Sequence, residues 1–379
     1  MSTSVVLVGS GGYAANYVNI LLDSGAELDM QLTGVVDPYA AASYCYDRFK
    51  DLVPIYNHMD EFYASHKADL AVVSTPIHLH FEQCMTALDN GSHVLCEKPL
   101  VPTLEQLNQL TAKAEAVGKT LSVGFQWCYL PVMRKLKERI LANEFGKPLS
   151  FKTLVPWPRD WGYYSRSSWA GMYKTADGKP VYDSVVSNAT AHYIQNCLFL
   201  LGPNMEESAQ LQNIQTECYK ANDIETFDTI ALKGQAGGVD VFYAASHAVN
   251  YKLNPVVDCI FENARILANF FNQDGVFAIH HKDGRIEELK SEEDNNMAKM
   301  DSVAKIIKGQ QPVACSTKTV QPFTALMDLI FTNPAVRPFQ ENVVVRDSDA
   351  KCTYVKNLHL DLWECFTHGK LPSEMKMNW

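Results

Sequence analysis

Residues 5–14 read Val-Val-Leu-Val-Gly-Ser-Gly-Gly-Tyr-Ala. The opening apolar run predicts a buried strand, and the amphipathic stretch that continues to Leu22 predicts a helix. Glycines in the connection allow a tight turn and let the backbone approach a pyrophosphate, which the helix N-terminus would face. The pattern is typical of the first unit of a dinucleotide-binding domain. The residues predicted to form this turn are Gly9, Gly11, Gly12, Tyr13 and Ala14.

An acidic residue follows at the spacing that such domains use to bind the adenosine ribose. The next predicted strand, residues 32–36, ends in Asp37, about 20 residues after the glycine turn. A carboxylate there accepts a hydrogen bond from the ribose 2′-hydroxyl and repels a 2′-phosphate. Because Pro38 and Tyr39 add no positive charge, the sequence predicts NAD, with NADP the less favoured cofactor.

Strands and helices alternate through the first 123 residues, which predicts a doubly wound parallel sheet with ligands at the carboxyl ends of its strands. Glu97, Lys98 and Pro99 follow one such strand, and Pro99 holds Lys98 extended at that edge. The other residues predicted on the cofactor side are Ser74, Thr75, Pro76, His80 and Gln126. For His80, a polar surface position is the alternative. The remaining strands are predicted at 54–56, 70–73, 93–96 and 120–123, and the helices at 40–49, 60–65, 77–90 and 103–117.

Several motifs of this region, in order and at the same spacing, resemble those of the Gfo/Idh/MocA oxidoreductases. They are Val-x-x-x-Gly-x-Gly-x-x-Ala, the strand-ending Asp37, Ser-Thr-Pro-x-x-x-His, Cys-Glu-Lys-Pro and Val-Gly-Phe-Gln. The resemblance implies a nicotinamide-binding Rossmann domain over residues 1–125. It also implies an α/β domain over residues 126–379, with a large, mostly antiparallel open sheet for substrate binding and oligomerisation into homodimers or homotetramers.

The second half agrees with that implication, because its apolar residues alternate with a period of two. This pattern predicts one extended sheet with one covered face. The strands are predicted at 149–155, 211–218, 226–232, 239–244, 256–261, 265–270, 276–280 and 286–289, and the helices at 130–142, 296–308, 320–331 and 358–366.

A polar and aromatic segment, residues 156–179, follows the first strand of the second half. Aromatic rings beside arginines suit a sugar, whose C–H faces pack on rings while its hydroxyls take hydrogen bonds. The residues predicted to bind substrate here are Tyr163, Arg166 and Trp169. Packing against a neighbouring subunit is the alternative, since the same residue types are enriched at interfaces.

Asn188 and His192 are four residues apart, so in a helix they would share one face. The stretch resembles the family's Asp-x-Gly-x-His-x-x-Asp motif, with Asn188 in place of the first aspartate, Thr190 in place of the glycine and Gln195 in place of the last aspartate. An amide cannot accept a proton as a carboxylate does. The residue predicted to take the proton is therefore His192, with Asn188 as a substrate contact; a core helix with one satisfied histidine is the alternative.

Composition excludes several other classes of function. The 379-residue chain has a net charge of -10, which gives no basic surface for nucleic acid or for an anionic membrane. No apolar run is long enough to span a membrane, and the early strand leaves no room for a signal peptide. The ten cysteines are scattered, as expected of reduced thiols in the cytoplasm, without disulfides or a metal site.

The sequence thus predicts an NAD-dependent enzyme that oxidises a C–OH group of a sugar, polyol or glycoside. Lys98 would hold the hydroxyl and stabilise the developing alkoxide, His192 would take its proton, and Glu97 would contribute orientation and cofactor contact. Two alternatives remain open. One is a glycosidase or lyase that oxidises the sugar transiently with no net redox change, and the other is a non-catalytic sugar-sensing regulator, against which the presence of Lys98 and His192 argues.

Overall fold

The computed structural model of the chain describes residues 2–269, 276–290, 294–332 and 334–379. All ten cysteines are free thiols, and nine of them are buried. Among the described helices, none combines the length and the apolar character needed to cross a membrane. No group of three or more His, Cys, Asp or Glu side chains in these ranges is placed to hold a metal ion.

Seventeen strands and eleven α-helices, numbered along the chain, make up the described structure. The strands are β1 (Thr3–Val8), β2 (Met30–Val36), β3 (Ile55–Tyr56), β4 (Leu70–Val73), β5 (His93–Cys96), β6 (Leu121–Val123), β7 (Pro148–Pro156), β8 (Gln212–Lys220), β9 (Thr229–Ala236), β10 (Val239–Ser246), β11 (Val256–Phe261), β12 (Ala264–Asn269), β13 (Phe277–His281), β14 (Ile286–Leu289), β15 (Val336–Pro338), β16 (Val344–Asp347) and β17 (Cys352–Val355). The helices are α1 (Ala14–Asp23), α2 (Tyr46–Phe49), α3 (Met59–Ser65), α4 (Ile77–Asp89), α5 (Leu104–Val117), α6 (Pro131–Leu141), α7 (Trp161–Ser165), α8 (Ala191–Leu200), α9 (Asn295–Ile307), α10 (Thr317–Thr332) and α11 (Leu358–His368).

The chain folds into two compact units. The first contains Met1–Leu130 and Glu293–Thr324, and the second contains Pro131–Glu292 and Ala325–Trp379. This division differs from the one drawn from the sequence after residue 125, because a late segment returns to the N-terminal unit. One bond that ties it there runs from the Val123 N–H to the Cys315 carbonyl, at 2.8 Å. Helical periodicity predicts such a segment as a helix but does not reveal which unit it joins.

A wholly parallel six-stranded sheet forms the centre of the first unit, in the order β3-β2-β1-β4-β5-β6. The prediction of a doubly wound sheet is confirmed. β1 lies in its middle, and its residues Val5 to Val8 are at most 1% exposed. Burial on both faces explains why this strand is a continuous apolar run rather than an alternating one.

The strand order reverses at β1, whose neighbours on either side are β2 and β4. After β1, the Gly9 N–H donates to the Val36 carbonyl at 2.9 Å, and the Ser74 N–H after β4 donates to the Val8 carbonyl at 2.9 Å. These bonds bring the carboxyl ends of three strands together at Gly9, Asp37 and Ser74. In open α/β sheets this reversal point is where ligands bind.

The second unit contains a nine-stranded sheet in the order β14-β13-β12-β11-β7-β10-β9-β8-β15. Only the β7–β10 and β8–β15 pairs are parallel among its described neighbours, so the predicted mostly antiparallel sheet is confirmed. β16 and β17 form a separate antiparallel pair.

The middle of this sheet is covered on both faces, where the sequence predicted one covered face. On β10, Phe242 and Tyr243 are adjacent, and both are buried. Phe242 belongs to the core that Leu358 and Leu362 of α11 complete. Tyr243 points to the other face, where its hydroxyl donates to Thr190 Oγ1 at 2.6 Å, one residue before α8. With both faces covered, the alternation of polar and apolar residues disappears over this strand.

Other differences from the predicted elements are local. The helix predicted at 40–49 is a 3₁₀ turn, Ala40–Ala42, followed by the single turn of α2. Ser43 interrupts it with extended backbone, and its hydroxyl donates to the Ser10 carbonyl at 2.6 Å. Phe270, the last residue of a predicted strand, lies outside the described residues. The short strands β15 to β17 were not predicted, because three or four residues show no periodicity.

Candidate active site

The glycine turn after β1 is held against the start of the loop that follows β4. Gly9 has φ +89°, and a Cβ on this residue would lie 2.5 Å from the Ser74 carbonyl oxygen. Its conformation, which the predicted tight turn requires, and its close approach to Ser74, which was not predicted, both demand glycine. Gly11 differs, because a Cβ there would meet no atom of the described protein within 4 Å. The protein itself does not demand a glycine at position 11, whereas a pyrophosphate close to the backbone would.

Asp37 is fixed at the end of β2 by the same turn. Its Oδ2 accepts hydrogen bonds from the Ser10 N–H at 2.8 Å and from the Ser10 hydroxyl at 2.7 Å. Its Oδ1 accepts from the Tyr39 N–H at 2.8 Å. A carboxylate offers about four acceptor positions, so the oriented group keeps capacity for ribose hydroxyls. Ser10 was not predicted to have a role, because its only signal in the sequence is its place between two glycines of the turn.

A cleft of about 640 Å³ opens at this edge of the sheet. Its lining includes Gly9, Gly11, Asp37, Tyr39, Thr75 and Pro76. A dinucleotide site needs a glycine where the backbone approaches the pyrophosphate, and Gly11 is a glycine that the protein's own packing does not require. It also needs an oriented carboxylate for the ribose, and Asp37 is held with acceptor positions to spare. The residues present therefore fit NAD: the turn would hold its pyrophosphate and Asp37 its adenosine ribose.

His80, predicted on the cofactor side, is buried and connects two loops through hydrogen bonds. Its Nε2 lies 2.8 Å from the Thr75 carbonyl oxygen, and its Nδ1 lies 3.0 Å from that of Pro99 and 3.1 Å from that of Leu100. Burial lowers the pKa of the ring, against the opposing effect of these carbonyls. His80 thus holds the loops after β4 and β5 in place rather than lying on the surface. Of the other predicted residues there, Ser74, Thr75 and Pro76 line the cleft.

Glu97 lies at the centre of a buried ionic cluster directly before Lys98. Its Oε1 accepts hydrogen bonds from the Tyr17 hydroxyl of α1 and from the Lys299 ammonium of α9, the latter at 2.7 Å. The Lys299 side chain is fully buried. Burial by itself raises the pKa of Glu97, but the charge and hydrogen bond of Lys299 together with Tyr17 outweigh it and lower the pKa below its ordinary value. Glu97 is therefore a buried carboxylate that the fold has already paired.

The same cluster also includes Tyr13 and Gln126, two residues that were predicted to contact the cofactor. The Tyr13 hydroxyl lies 2.8 Å from Gln126 Oε1 and 2.5 Å from Asn296 Oδ1, and Lys299 Nζ lies 3.4 Å from it. Lys98 follows Glu97 with its backbone N–H donating to Glu97 Oε2 at 3.1 Å. Tyr13, Gln126, Glu97 and Lys98 are thus brought together within the first unit. Sequence reasoning missed Lys299, whose signal was a lysine among the buried residues of an amphipathic helix.

In the second unit, the aromatic segment is organised around Tyr163. The guanidinium carbon of Arg166 lies 3.9 Å from the Tyr163 ring centroid, and that of Arg159 lies 4.9 Å from it. Arg166 also lies 5.0 Å from the ring centroid of Trp169. These are cation–π distances, and they bring together the three residues that the sequence predicted as substrate contacts.

Asp183 ties this segment to Asn188. The buried Asp183 carboxylate accepts from the Gly171 N–H at 2.7 Å, from Asn188 Nδ2 at 2.6 Å and from Arg166 Nη2 at 3.3 Å. Asn188 therefore has a fixed orientation, with its amide nitrogen turned toward an acid five residues earlier. Asp183 was not predicted to have a role, because no local sequence pattern marks a contact between a loop and a following turn.

The sequence predicted that Asn188 and His192 would share one face if both were helical, but Asn188 lies outside the helix. α8 begins at Ala191, so His192 is its second residue, and Asn188 lies in the turn before it. The other departures from the family motif are explained by packing. Thr190 is fully buried against Tyr243, and Gln195 is fully buried with its Nε2 donating to the Ser208 hydroxyl at 3.1 Å.

Comparison with known proteins agrees with these features. Residues 3–125 match the model of a family described as an oxidoreductase family with an NAD-binding Rossmann fold. Glucose-6-phosphate 3-dehydrogenase of Bacillus subtilis is 38% identical over 81 residues, which cover 21% of this chain and 23% of that protein. Inositol 2-dehydrogenase of Rubrobacter xylanophilus is 26% identical over 215 residues, which cover 54% of each. The chain thus spans about a quarter to about half of the length of these curated relatives.

Among solved structures, the WlbA dehydrogenase from Bordetella pertussis, in complex with NADH and UDP-GlcNAcA, matches with a TM-score of 0.71. The alignment has 20% identity and covers 88% of this chain and 96% of that one. At this identity the likeness shows the fold alone.

The reversed parallel sheet, the glycine turn and the held Asp37 define a dinucleotide-binding Rossmann domain. The family model that matches residues 3–125 is that of the Gfo/Idh/MocA oxidoreductases, the family that the sequence motifs resemble.

The two glycines give a paired test of the cofactor turn. Gly11→Ala should leave the free energy of unfolding within about 0.5 kcal/mol of wild type, as for an unobstructed surface change, yet weaken NAD binding about tenfold or more. Gly9→Ala should lower the free energy of unfolding by about 1–3 kcal/mol, because it is strained in both conformation and contact. Urea unfolding and calorimetric titration with NAD measure the two effects. Unchanged NAD affinity in Gly11→Ala would contradict the assigned pyrophosphate site.

Lys299→Met tests the buried pair. At pH 8 it should lower the free energy of unfolding by about 3–5 kcal/mol, because Glu97 is left as an unpaired buried carboxylate. The deficit should shrink as the pH falls toward 5, where protonation of Glu97 removes that charge. The wild type keeps the stability contributed by Glu97 above the ordinary carboxyl pKa of about 4.3 and loses it only as the pH falls through the lowered folded value.

The matched control is Lys305→Met, which removes the exposed 2.6 Å pair with Asp301 on the same helix. It should change the free energy of unfolding by about 0.5 kcal/mol or less. A Lys299→Met deficit that stays constant from pH 5 to pH 8 would show that Lys299 acts through packing and not through its charge.

Proposed function

We propose that this protein is an NAD-dependent oxidoreductase that transfers hydride from a C–OH group of a sugar, polyol or glycoside. The observation that carries the proposal is the Gly9 to Ala14 turn beside an Asp37 carboxylate that Ser10 holds in the same cleft. The family match over residues 3–125 and the names of the relatives, which are sugar and inositol dehydrogenases, support it.

The chemistry divides between the cofactor and the protein. NAD, when bound, would supply the hydride acceptor, and the protein positions the reacting hydroxyl and removes its proton. Lys98 holds the hydroxyl oxygen and stabilises negative charge as it develops there. Glu97 keeps the backbone of Lys98 in place through the 3.1 Å bond to its N–H, while Tyr17 and Lys299 keep Glu97 ionised.

His192 is the proposed proton acceptor. Asn188 cannot take this role, because an amide has no basic site at neutral pH. Its bond to Asp183 instead gives it a fixed orientation suited to a hydrogen bond with substrate. Tyr163, Arg166 and Trp169 complete the proposed substrate contacts, with aromatic faces for sugar C–H groups and a guanidinium for oxygens.

A second candidate is redox-neutral chemistry on a glycoside, in which the hydride returns to the sugar after a substituent has been eliminated. The amide at position 188, where the family motif has a carboxylate, favours keeping this candidate.

We further propose, from the family resemblance alone, that the protein is a homodimer or homotetramer. The scattered reduced cysteines favour a cytoplasmic location.

The choice of cofactor is testable at Asp37. Wild type should bind NAD about tenfold or more tightly than NADP, because the carboxylate repels a 2′-phosphate. Asp37→Ser should narrow or reverse this preference, while Asp47→Ser, an exposed aspartate paired with Lys50, should leave it unchanged. Calorimetric titration of both cofactors gives the ratio. Equal or tighter NADP binding by wild type would refute the proposed role of Asp37.

The proton chemistry is testable at Lys98 and His192. Lys98→Ala and His192→Ala should each lower turnover about 10²-fold or more while leaving NAD affinity nearly unchanged. Lys50→Ala and His368→Ala, which remove exposed residues of the same types, are the controls. NADH absorbance in a sugar and glycoside screen gives the rates, and near wild-type turnover of Lys98→Ala would rule out its assignment.

Mass spectrometry on the same screen separates the two candidate functions. Net oxidation predicts NADH and an oxidised sugar in equal amounts, whereas redox-neutral chemistry predicts a released substituent without accumulated NADH. Asn188→Asp restores the family residue and should gain dehydrogenase activity only if that substitution removed a proton relay.

A further inference from the structure

Three buried polar atoms surround Tyr163 in the second unit without a hydrogen-bond partner among the residues described. They are His247 Nε2, Arg159 Nε and the Tyr164 hydroxyl. The Tyr163 ring centroid lies 5.4 Å from that of His247, 5.3 Å from that of Tyr164 and 4.9 Å from the guanidinium carbon of Arg159. Buried polar groups normally have partners, so three orphaned atoms around one ring indicate a place where another molecule supplies them.

The tautomer of His247 specifies one of the missing partners. Its Nδ1 lies 2.7 Å from the Trp157 carbonyl oxygen, so Nδ1 carries the proton and donates. Burial, followed by the nearby Arg159 charge, lowers the pKa of His247 to about 3, so the ring is neutral at pH 7. In this form Nε2 is an acceptor, and it needs an O–H or N–H donor.

Arg159 specifies the other partner. Its guanidinium packs on the faces of Trp157 and Tyr163 and donates to the Pro158 carbonyl at 3.4 Å. No carboxylate of the described residues lies within 4.0 Å of it, whereas the neighbouring Arg166 has Asp183. Two acidic side chains act on the cluster, Asp183 on Arg166 and the buried Asp228 on Tyr164, so Arg159 is the cationic side chain that lacks an ion pair among the described residues. A partly buried guanidinium held by rings and carbonyls favours an anionic oxygen as its missing acceptor.

We propose that Arg159, His247 and Tyr164 form a subsite for the acidic group of an anionic sugar or polyol, a carboxylate or phosphate ester, with an adjacent hydroxyl. The anionic oxygen accepts from Arg159 and Tyr164, and the hydroxyl donates to His247 Nε2. A fully deprotonated anion such as sulfate has no proton to give His247, and a neutral sugar has no charge to give Arg159, so the cluster requires a molecule that carries both an anionic oxygen and an O–H donor. This substrate class rests on the proposed function.

The test is calorimetric titration of the full chain, saturated with NAD, with matched sets of ligands. Each set contains a neutral hexose, its uronate and its 6-phosphate, in the gluco, galacto and manno configurations, and sulfate is the simple-anion probe. At least one acid should bind about tenfold or more tightly than its neutral parent and than sulfate. The uronate and 6-phosphate arms decide which acidic group the subsite takes.

Variants assign the preference to the cluster. Arg159→Met should abolish the preference for the acid while leaving the affinity of the neutral parent within about threefold, and Arg159→Lys should retain part of it. His247→Gln, which keeps an acceptor, should bind the acid more tightly than His247→Ala. Arg285→Met, at an exposed arginine of the β13–β14 turn, is the control and should change nothing. Thermal unfolding of each variant identifies any that fail to fold.

Equal binding of acids and neutral parents by wild type, equal losses for both in Arg159→Met, or no binding by any member of the panel would overturn the subsite. NADH formation recorded on the same samples keeps the two proposals separate. A preference for acids without NADH formation from any ligand would contradict the proposed function and support the subsite. NADH formation without a preference would do the opposite.

Discussion

The parallel pairing of β1 with β2 on one side and β4 on the other is the constraint on which the first unit depends. From β1 the chain continues to β2 and β3 on one side of the sheet, and from β4 it continues to β5 and β6 on the other side. At the junction, the Gly9 backbone fits beside Ser74 only because Gly9 has no Cβ. That close approach places the Ser10 donors on Asp37. The geometry of the proposed ribose contact is therefore a consequence of strand order, with no need for a dedicated loop.

The ionic contacts that orient the proposed site residues are buried in both units. In the first unit, a fully buried lysine and a tyrosine keep Glu97 ionised next to Lys98. In the second, a buried aspartate connects Arg166, the Gly171 backbone and Asn188. Such buried pairs contribute little net stability compared with apolar packing, but removal of one partner is strongly unfavourable. They fix side-chain orientation, which is what a site for small polar molecules requires.

The sequence was sufficient for features that depend on neighbours along the chain. The strand at Val5, the conformation of Gly9 and the acid at Asp37 each follow from local pattern and known spacing, and the structure agrees with all three. Features that depend on distant segments were not predictable. Lys299 meets Glu97 across about 200 residues, and no periodicity signals such an encounter. Asp183 and Asn188 are close in sequence, yet they meet through an irregular turn whose geometry no motif specifies.

The late return of the chain to its first unit makes the N-terminal domain discontinuous in sequence. A fragment that ends at Leu130 would contain the glycine turn, Asp37 and Lys98, but it would lack the helix that supplies Lys299. Recombination among relatives faces the same restriction, because exchange of the N-terminal segment alone joins Glu97 to a foreign α9. The two sequence segments of this domain must therefore change together in evolution. Relatives that keep a buried acid at the position of Glu97 are expected to keep a cationic residue at the position of Lys299.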